Sequence, residues 1–298
     1  MTRYTAFCKI VEYGSFTRAA EALGYTQAAV SQMIRSLENE FSLRLLIRTR
    51  SGVRLTREGE QMYPLIRKFT AAYREMSDRA GEINGLDSGE IRIGTFSSMS
   101  QHLLPGLMSD FSRLYPKINF VLSQGDNTTQ PEWISSGMID FGFVYPEASA
   151  GLVNRPIVKD VYLAVLPEDH PYAEMETVPL ALMAKEPLII VDEGGINTAL
   201  RAFSSAGLTP RINFRIHDDF TILSMVEKGI GVSILPSMIL DRAPYRIKTV
   251  PTDIPVTRTV GIAYRDYDML PMAAKKFLKF VFDNIDKYLP EKYICLKA

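Results

Sequence analysis

Apolar positions recur at three- and four-residue spacing through the first third of the chain. Beyond residue 90 they change to short apolar runs parted by turns. Tyr4, Phe7, Cys8 and Val11 lie at i, i+3, i+4 and i+7 and predict a helix over about Thr2–Tyr13, ended by Gly14. Ser15, with Thr17 competing, caps a second helix that buries Phe16, Ala19, Ala20 and Leu23 and closes at Gly24. Thr26 caps a third, whose core face is Val30, Ile34, Leu37 and Phe41. Arg44 to Thr56 then alternates around Ser51-Gly52, which predicts a β-hairpin. A short helix, a turn, a second helix and a hairpin make a winged helix-turn-helix, a unit that places one helix in the DNA major groove.

Thr56 caps a further helix running to about Ile83. Met62, Ile66, Phe69, Tyr73, Met76, Ala80 and Ile83 are spaced alternately four and three apart, a heptad seam that a lone helix would pair with a twin. Pro64 removes one backbone hydrogen bond near its start and predicts a kink there. Gly85–Gly89 reads as a hinge. From Glu90 strands and helices alternate: strands at 91–96, 118–123, 139–144, 161–166, 188–191, 212–216, 232–235 and 259–264, and helices at 101–114, near Trp133, at 197–205, 220–228 and 272–288. This pattern predicts an α/β domain with mostly parallel strands, whose ligands bind at strand C-termini.

The chain has 298 residues, with 34 basic and 34 acidic side chains, so overall charge names no partner. Its distribution does. Residues 1–58 carry nine basic and five acidic groups, leaving a head of net +4 on a body of net −4. Cys8 and Cys295 stand at opposite ends, and a reducing compartment is expected. The N-terminus is polar and helical, with no secretory signal, and no apolar run approaches ~18 residues. A cytoplasmic protein without a membrane partner follows.

On the exposed side of the third helix, Thr26, Gln27, Ala28, Ser31, Gln32 and Arg35 are groups suited to a groove. Glutamine pairs with adenine, arginine with guanine, and small side chains admit the thymine methyl. A solvated polar face would look the same. The hairpin carries Arg44, Arg48, Arg50 and Arg54 and no acid. Arg48, Arg50 and Arg54 are its candidates for phosphate or minor-groove contact, which would be salt-dependent.

These residues resemble a known family. Gly14-Ser-Phe-Thr-Arg-Ala-Ala-Glu-x-Leu23, then Thr26-Gln-x-x-Val-Ser-x-x-Ile-x-x-Leu-Glu38, then Leu43-x-Leu-Leu-x-Arg48 and Leu55-Thr-x-x-Gly59 are similar to the LysR-type transcriptional regulators, and the likeness extends through the whole chain. Departures are Ser42 for the family's usual glycine, Leu46 for phenylalanine, Ile47 for glutamate and Gln32 for a frequent arginine. The last implies a different base preference. The resemblance implies an all-α winged helix-turn-helix over 1–58, a linker and dimerisation helix with hinge over 59–89, and over 90–298 an α/β two-lobed domain like type 2 periplasmic binding proteins. Lobe one would be about 90–160 and 266–298, and lobe two about 161–265. The crossings are expected near Val158–Val161 and Tyr264–Asp266. Glu227-Lys-Gly-Ile-Gly-Val-Ser-Ile-Leu-Pro236 matches the family's second lobe.

Candidate effector residues follow from the loops at strand ends. Ser97, Ser98 and Met99 open a helix after the first strand, where hydroxyls and free N–H groups suit a carboxylate or other anion. Simple N-capping explains them equally from residues alone; the resemblance favours the effector cleft. Gln124 and Asn127, Asn197 and Thr198, Asp219, Phe220 and Thr221, and Tyr264 complete the set, each equally readable as a cap or surface residue. Asp126, Asp218 and Asp219 instead suit a ligand with a donor or positive group. His102, His170 and His217 are scattered without metal spacing, and no nucleophile elbow, phosphate loop or dinucleotide fingerprint is present. The expected protein is a promoter-binding regulator rather than an enzyme. It needs no cofactor, responds to a small-molecule effector, and pairs with itself as a dimer and, by resemblance, a tetramer. It would contact RNA polymerase if it activates. A transport solute receptor would lack the DNA head, an enzyme would use the head for assembly alone, and a regulator without effector would act constitutively.

Overall fold

A computed structural model describes residues 2–49, 52–83, 89–241 and 243–295. The chain divides into two compact units, one of Met1–Leu86 with Ser136–Met138, the other of Asp87–Ser135 with Ile139–Ala298.

The first unit opens with α1 (Thr2–Tyr13), α2 (Phe16–Leu23) and α3 (Gln27–Phe41), followed by the hairpin β1 (Leu46–Thr49) and β2 (Gly52–Leu55) and the long α4 (Arg57–Ile83). Local chemistry sets each boundary. Ser15 Oγ accepts from Arg18 N–H and Thr26 Oγ1 from Ala29 N–H, while Gly24 closes α2 in the left-handed region at φ 69°. Phe7, Ile10, Ala19, Val30, Ile34, Leu37 and Leu45 form the core, and Ile66 of α4 packs onto it. Phe41, expected inside, is instead exposed at the end of α3. Pro64 lies inside α4 without breaking it, so the expected kink does not interrupt the helix. Buried Cys8 belongs to this core, and burial pushes its thiol up to about 11. The turn residue Ser51 and the hinge residues 85–88 lie outside the described residues.

The second unit runs β3 (Gly89–Thr95), α5 (Ser97–His102), α6 (Leu104–Leu114), β4 (Ile118–Gln124), α7 (Thr129–Ser135), β5 (Phe141–Val144), β6 (Val153–Pro167), α8 (Leu180–Met183), β7 (Leu188–Val191), α9 (Thr198–Ser205), β8 (Ile212–Ile216), α10 (Asp219–Glu227), β9 (Val232–Pro236), α11 (Ser237–Leu240), β10 (Ile247–Tyr264) and α12 (Met272–Asn284). The eight strands are ordered β4-β3-β5-β10-β6-β9-β7-β8. The sheet is mixed, with four parallel pairings and three antiparallel ones among the described residues. Pairs β3/β4, β3/β5, β7/β8 and β7/β9 are parallel, but β10 runs antiparallel to β5 and β6, and β6 to β9. The helix expected over 101–114 is also two, divided at Leu103.

Two cores lie along β6 and β10. Ile157, Val158, Val260, Ile262 and Tyr264 join one with Phe111, Phe141 and Phe277; Tyr162, Ala164, Val250 and Val256 join the other with Leu188 and Phe203. The strands therefore pass between lobes at Lys159–Val161 and Thr257–Thr259. The return crossing is not at Tyr264–Asp266, and lobe two ends near residue 257 rather than 265. The cause is the length of β10, which begins at Ile247 and runs 18 residues where the apolar run predicted six.

A candidate DNA-binding head and a candidate effector cleft

On the head, Thr26, Gln27, Ala28, Gln32 and Arg35 are exposed along α3, with Ser31 half-buried. Thr26 spends its acceptor on the cap, but its hydroxyl and the first N–H groups of α3 stay at the surface. Arg48 lies over the Phe16 ring at 4.5 Å and reaches Ser31 Oγ at 3.5 Å, so the hairpin and α3 present one cationic surface. Arg54 is exposed on β2. Arg50 lies outside the described residues. The hairpin's position comes from a residue the sequence reading had not singled out for this role. Buried Glu38 accepts from Leu45 N–H at 2.8 Å and Leu46 N–H at 3.3 Å, and its other oxygen meets Arg44 at 3.4 Å. The one acid on the inner face of α3 thus fastens the wing and adds no charge to the outer face. Thr56 and Gly59 complete the joint. Thr56 Oγ1 caps α4 through Gly59 N–H and donates to Arg44 C=O, and any Cβ at Gly59 would collide with the Leu45 carbonyl.

In the second unit the lobes meet around a cavity of about 320 Å³ beside the crossing strands. Ser97, Ser98, Gln124, Asn127 and Asp219 line it. The other expected residues do not. Met99 is fully buried in the core of lobe one, because its side chain faces inward from the first turn of α5. Asn197 caps α9 through Leu200 N–H and donates to Val191 C=O. Thr198 lines a separate hollow on the other side, and its N–H donates to Glu193. Phe220 packs beside Tyr245, Thr221 serves the Asp218 cap, and Tyr264 lies in the lobe-one core next to Tyr267.

The cavity's centre is Arg258, which the sequence reading missed. It faces Asp160 directly across the β6–β10 pairing, both almost wholly buried, with Nη2 and Nε 2.9 and 3.3 Å from Asp160 Oδ2. Nη2 also donates to Ser98 Oγ at 2.9 Å and Nη1 to Tyr145 Oη at 3.3 Å. Phe96 and Tyr162 stand 5.5 and 5.7 Å from the guanidinium. Although burial disfavours the cation, the Asp160 carboxylate beside it holds Arg258 protonated. Tyr145 and Tyr162 each donate to Glu193 Oε1, at 2.9 and 2.7 Å. Burial, then Glu193, pushes both phenols far up, so they remain neutral donors. Asn127 N–H donates to Glu193 C=O at 3.1 Å and Gly195 N–H to Thr128 Oγ1 at 2.8 Å, which ties lobe to lobe.

A signal for the missed pair exists. Val256-Thr-Arg-Thr-Val260 places one cation amid strand-forming residues, and Val158-Lys-Asp-Val-Tyr162 places one acid there beside Lys159, as a paired internal ion would. Tyr145 and Glu193 follow β5 and β7, where a strand-end rule applied to every strand would have found them. Among the described residues no group of His, Cys, Asp and Glu could hold a metal ion, and no helix is long and apolar enough to cross a membrane.

Comparison with known proteins covers both units. Residues 1–60 match the bacterial regulatory helix-turn-helix model of the lysR family, and residues 84–286 match the LysR substrate binding domain. The uncharacterized HTH-type transcriptional regulator YvbU of Bacillus subtilis is 35% identical over 283 residues, 94% of this chain and 96% of its own. A full-length OxyR variant from Pseudomonas aeruginosa has TM-score 0.67 at 22% identity, covering 100% of this chain and 98% of that one. CbnR complexed with its target DNA has TM-score 0.66 at 22% identity, covering 94% and 98%. At those identities the solved structures speak for the fold, while the family models and the curated relative speak for kinship. The chain belongs to the LysR family, DNA-binding transcriptional regulators with a C-terminal effector-binding domain.

Proposed function

We propose that α3 enters the major groove with Gln27, Ala28, Ser31, Gln32 and Arg35 toward base edges, while Thr26, Arg48, Arg50 and Arg54 hold phosphates or the adjoining minor groove. The observation that carries this reading is the Glu38 clamp, which neutralises the inner acid and leaves the α3–hairpin surface cationic. The likeness to CbnR bound to its target DNA supports the same docking. Two heads are set at a fixed spacing by pairing of α4, where Phe69, Tyr73 and Met76 are exposed although they continue the seam begun by Met62 and Ile66. Two such dimers make a tetramer, acting in the cytoplasm and contacting RNA polymerase where transcription is activated.

The effector is a small molecule whose carboxylate or other anionic group faces Ser97, Ser98 and the edge of Arg258. It shifts the protein between states of different DNA geometry in proportion to its difference in affinity for them. A gel-shift against the chain's own upstream region tests the head. Arg48→Ala and Arg54→Ala should weaken promoter and random DNA alike and lower the salt slope by about one each, whereas Gln27→Ala should change sequence preference. Parental binding by all three variants would refute the docking. For the cleft, Ser98→Ala should blunt a reporter's response and leave DNA affinity intact; undiminished response would remove Ser98 from the site.

A further inference from the structure

The charge around the cavity is lopsided in a way the anionic effector alone does not answer. Arg258 already donates at least four of its five N–H groups, and Asp160 neutralises its charge. Four further carboxylates, Asp126, Asp192, Glu193 and Asp219, line the same space, with the imidazole of His217 3.8 Å from Asp192 as the one other basic group among the described residues there. The helix starts around it carry the chain's own acids. Asp126 Oδ1 accepts from Thr128 and Thr129 N–H ahead of α7, Glu193 Oε2 from Thr198 N–H of α9, and Asp218 from Thr221 N–H of α10. Those positive ends are therefore not open to a ligand's anion.

Asp219 is the sharpest case. It is 8% exposed and lines the cavity, yet the nearest help for its charge is the Ser97 hydroxyl and the already paired Arg258. Burial holds its carboxyl above the ordinary carboxylate range, with Glu193 and Asp218 adding to that. An entering cation would relieve all of these at once. Phe96, Trp133 and Ile239 supply apolar walls for the rest of such a molecule.

We infer that the effector also carries a protonated amine, set against Asp219 and the neighbouring Asp126 and Asp192, which makes it an amino-acid-like zwitterion with an apolar body. This rests on the effector reading above, in which the anionic group faces Ser97 and Ser98. Discrimination comes from a charged hydrogen bond made in a nearly dry site, worth about ten-fold in affinity.

The test uses the full-length protein and matched triplets: phenylalanine, 3-phenylpropanoate and phenethylamine, then leucine, 4-methylpentanoate and isopentylamine, extended to polar and basic side chains. Trp133 is the chain's single tryptophan and lines the cavity, so its fluorescence reads binding. At least one amino acid should bind about ten-fold or more tighter than its des-amino acid, and Asp219→Asn should erase that difference. If every des-amino acid that binds does so as tightly as its amino partner, the inference is overturned and the anion reading stands. An amine that binds as tightly as its amino acid overturns the anion reading, and the zwitterion with it, and leaves only the amine's contact with Asp219 standing. Silence of every amine and amino acid, while any carboxylate binds or none does, also overturns the inference.

Discussion

Replacing Arg258 by methionine tests whether the cleft is built around a buried ion pair. The substitution keeps the length of the side chain and removes the charge. Asp160 then remains wholly inside the protein, holding only the Ser237 hydroxyl at 2.8 Å and the Val161 N–H at 2.9 Å. Ser98 and Tyr145 each lose a donor as well. Breaking such a pair from one side costs about 3–5 kcal/mol, because a desolvated charge is left uncompensated. For a unit of this size that lowers the melting temperature by roughly 6–20 °C. The whole chain should not melt in one step, since its two units have separate cores. Trp133 solves this, because the only tryptophan sits in the second unit and its emission follows that unit alone. Adding Asp160→Asn removes the stranded charge but keeps its polar partners, so the double variant should be more stable than Arg258→Met. A loss under about 1 kcal/mol for Arg258→Met, or a double variant worse than the single by the full cost of Asp160→Asn, would show that the pair does not organise the cleft.

Other outcomes follow from single features. Ser42 is the one described non-glycine at positive φ, 53°, so Ser42→Gly should stabilise the head by roughly 0.5–1 kcal/mol in urea melts, strain relief exceeding the entropy cost of glycine. Exposure of Tyr73 and Met76 on α4, 43% and 62%, predicts that the pair Tyr73→Glu and Met76→Glu drives the protein toward monomer in sedimentation; an unchanged dimer would place pairing elsewhere. Asp219 has its folded pKa raised above the ordinary 3.8, so its ionisation opposes folding as pH rises through that raised value. Asp219→Asn should therefore melt higher than the parent near pH 7.5 without effector, with the gap narrowing as pH falls toward 4. A parent that melts higher at neutral pH would mean that burial does not govern this carboxyl.

The head was legible because its determinants are local. Each cap lies three residues from the N–H it serves, as Ser15 to Arg18 and Thr26 to Ala29, and each core face repeats within one helix. Even there, Glu38 hid its purpose, since its partners lie seven and eight residues on, beyond any helical period. Phe41 shows the opposite failure, an apolar position in phase with the core that falls past the end of the packed surface.

The cleft inverts this balance. Arg258 and Asp160 are 98 residues apart and meet only because β10 continues through both lobes, an extent masked by Pro251 and Pro255 within the run. A strand interrupted by prolines reads as two pieces, so the apolar run alone puts the return crossing too late and Tyr264 in the cleft, whereas it belongs to the lobe-one core. Loop starts were easier to find than side-chain directions. Ser97, Ser98 and Met99 are consecutive, yet a helix turns each by about 100°, and only the serines reach the cavity. The same geometry sets which errors matter. Misplacing Met99 or Phe220 leaves the chemistry unchanged, because both are apolar and buried elsewhere. Missing Arg258 and Glu193 changes it, because with them the cavity contains a neutralised cation and an excess of carboxylates. A polar loop suited to an anion, as the sequence suggested, therefore shares its cavity with Asp126, Asp192, Glu193 and Asp219.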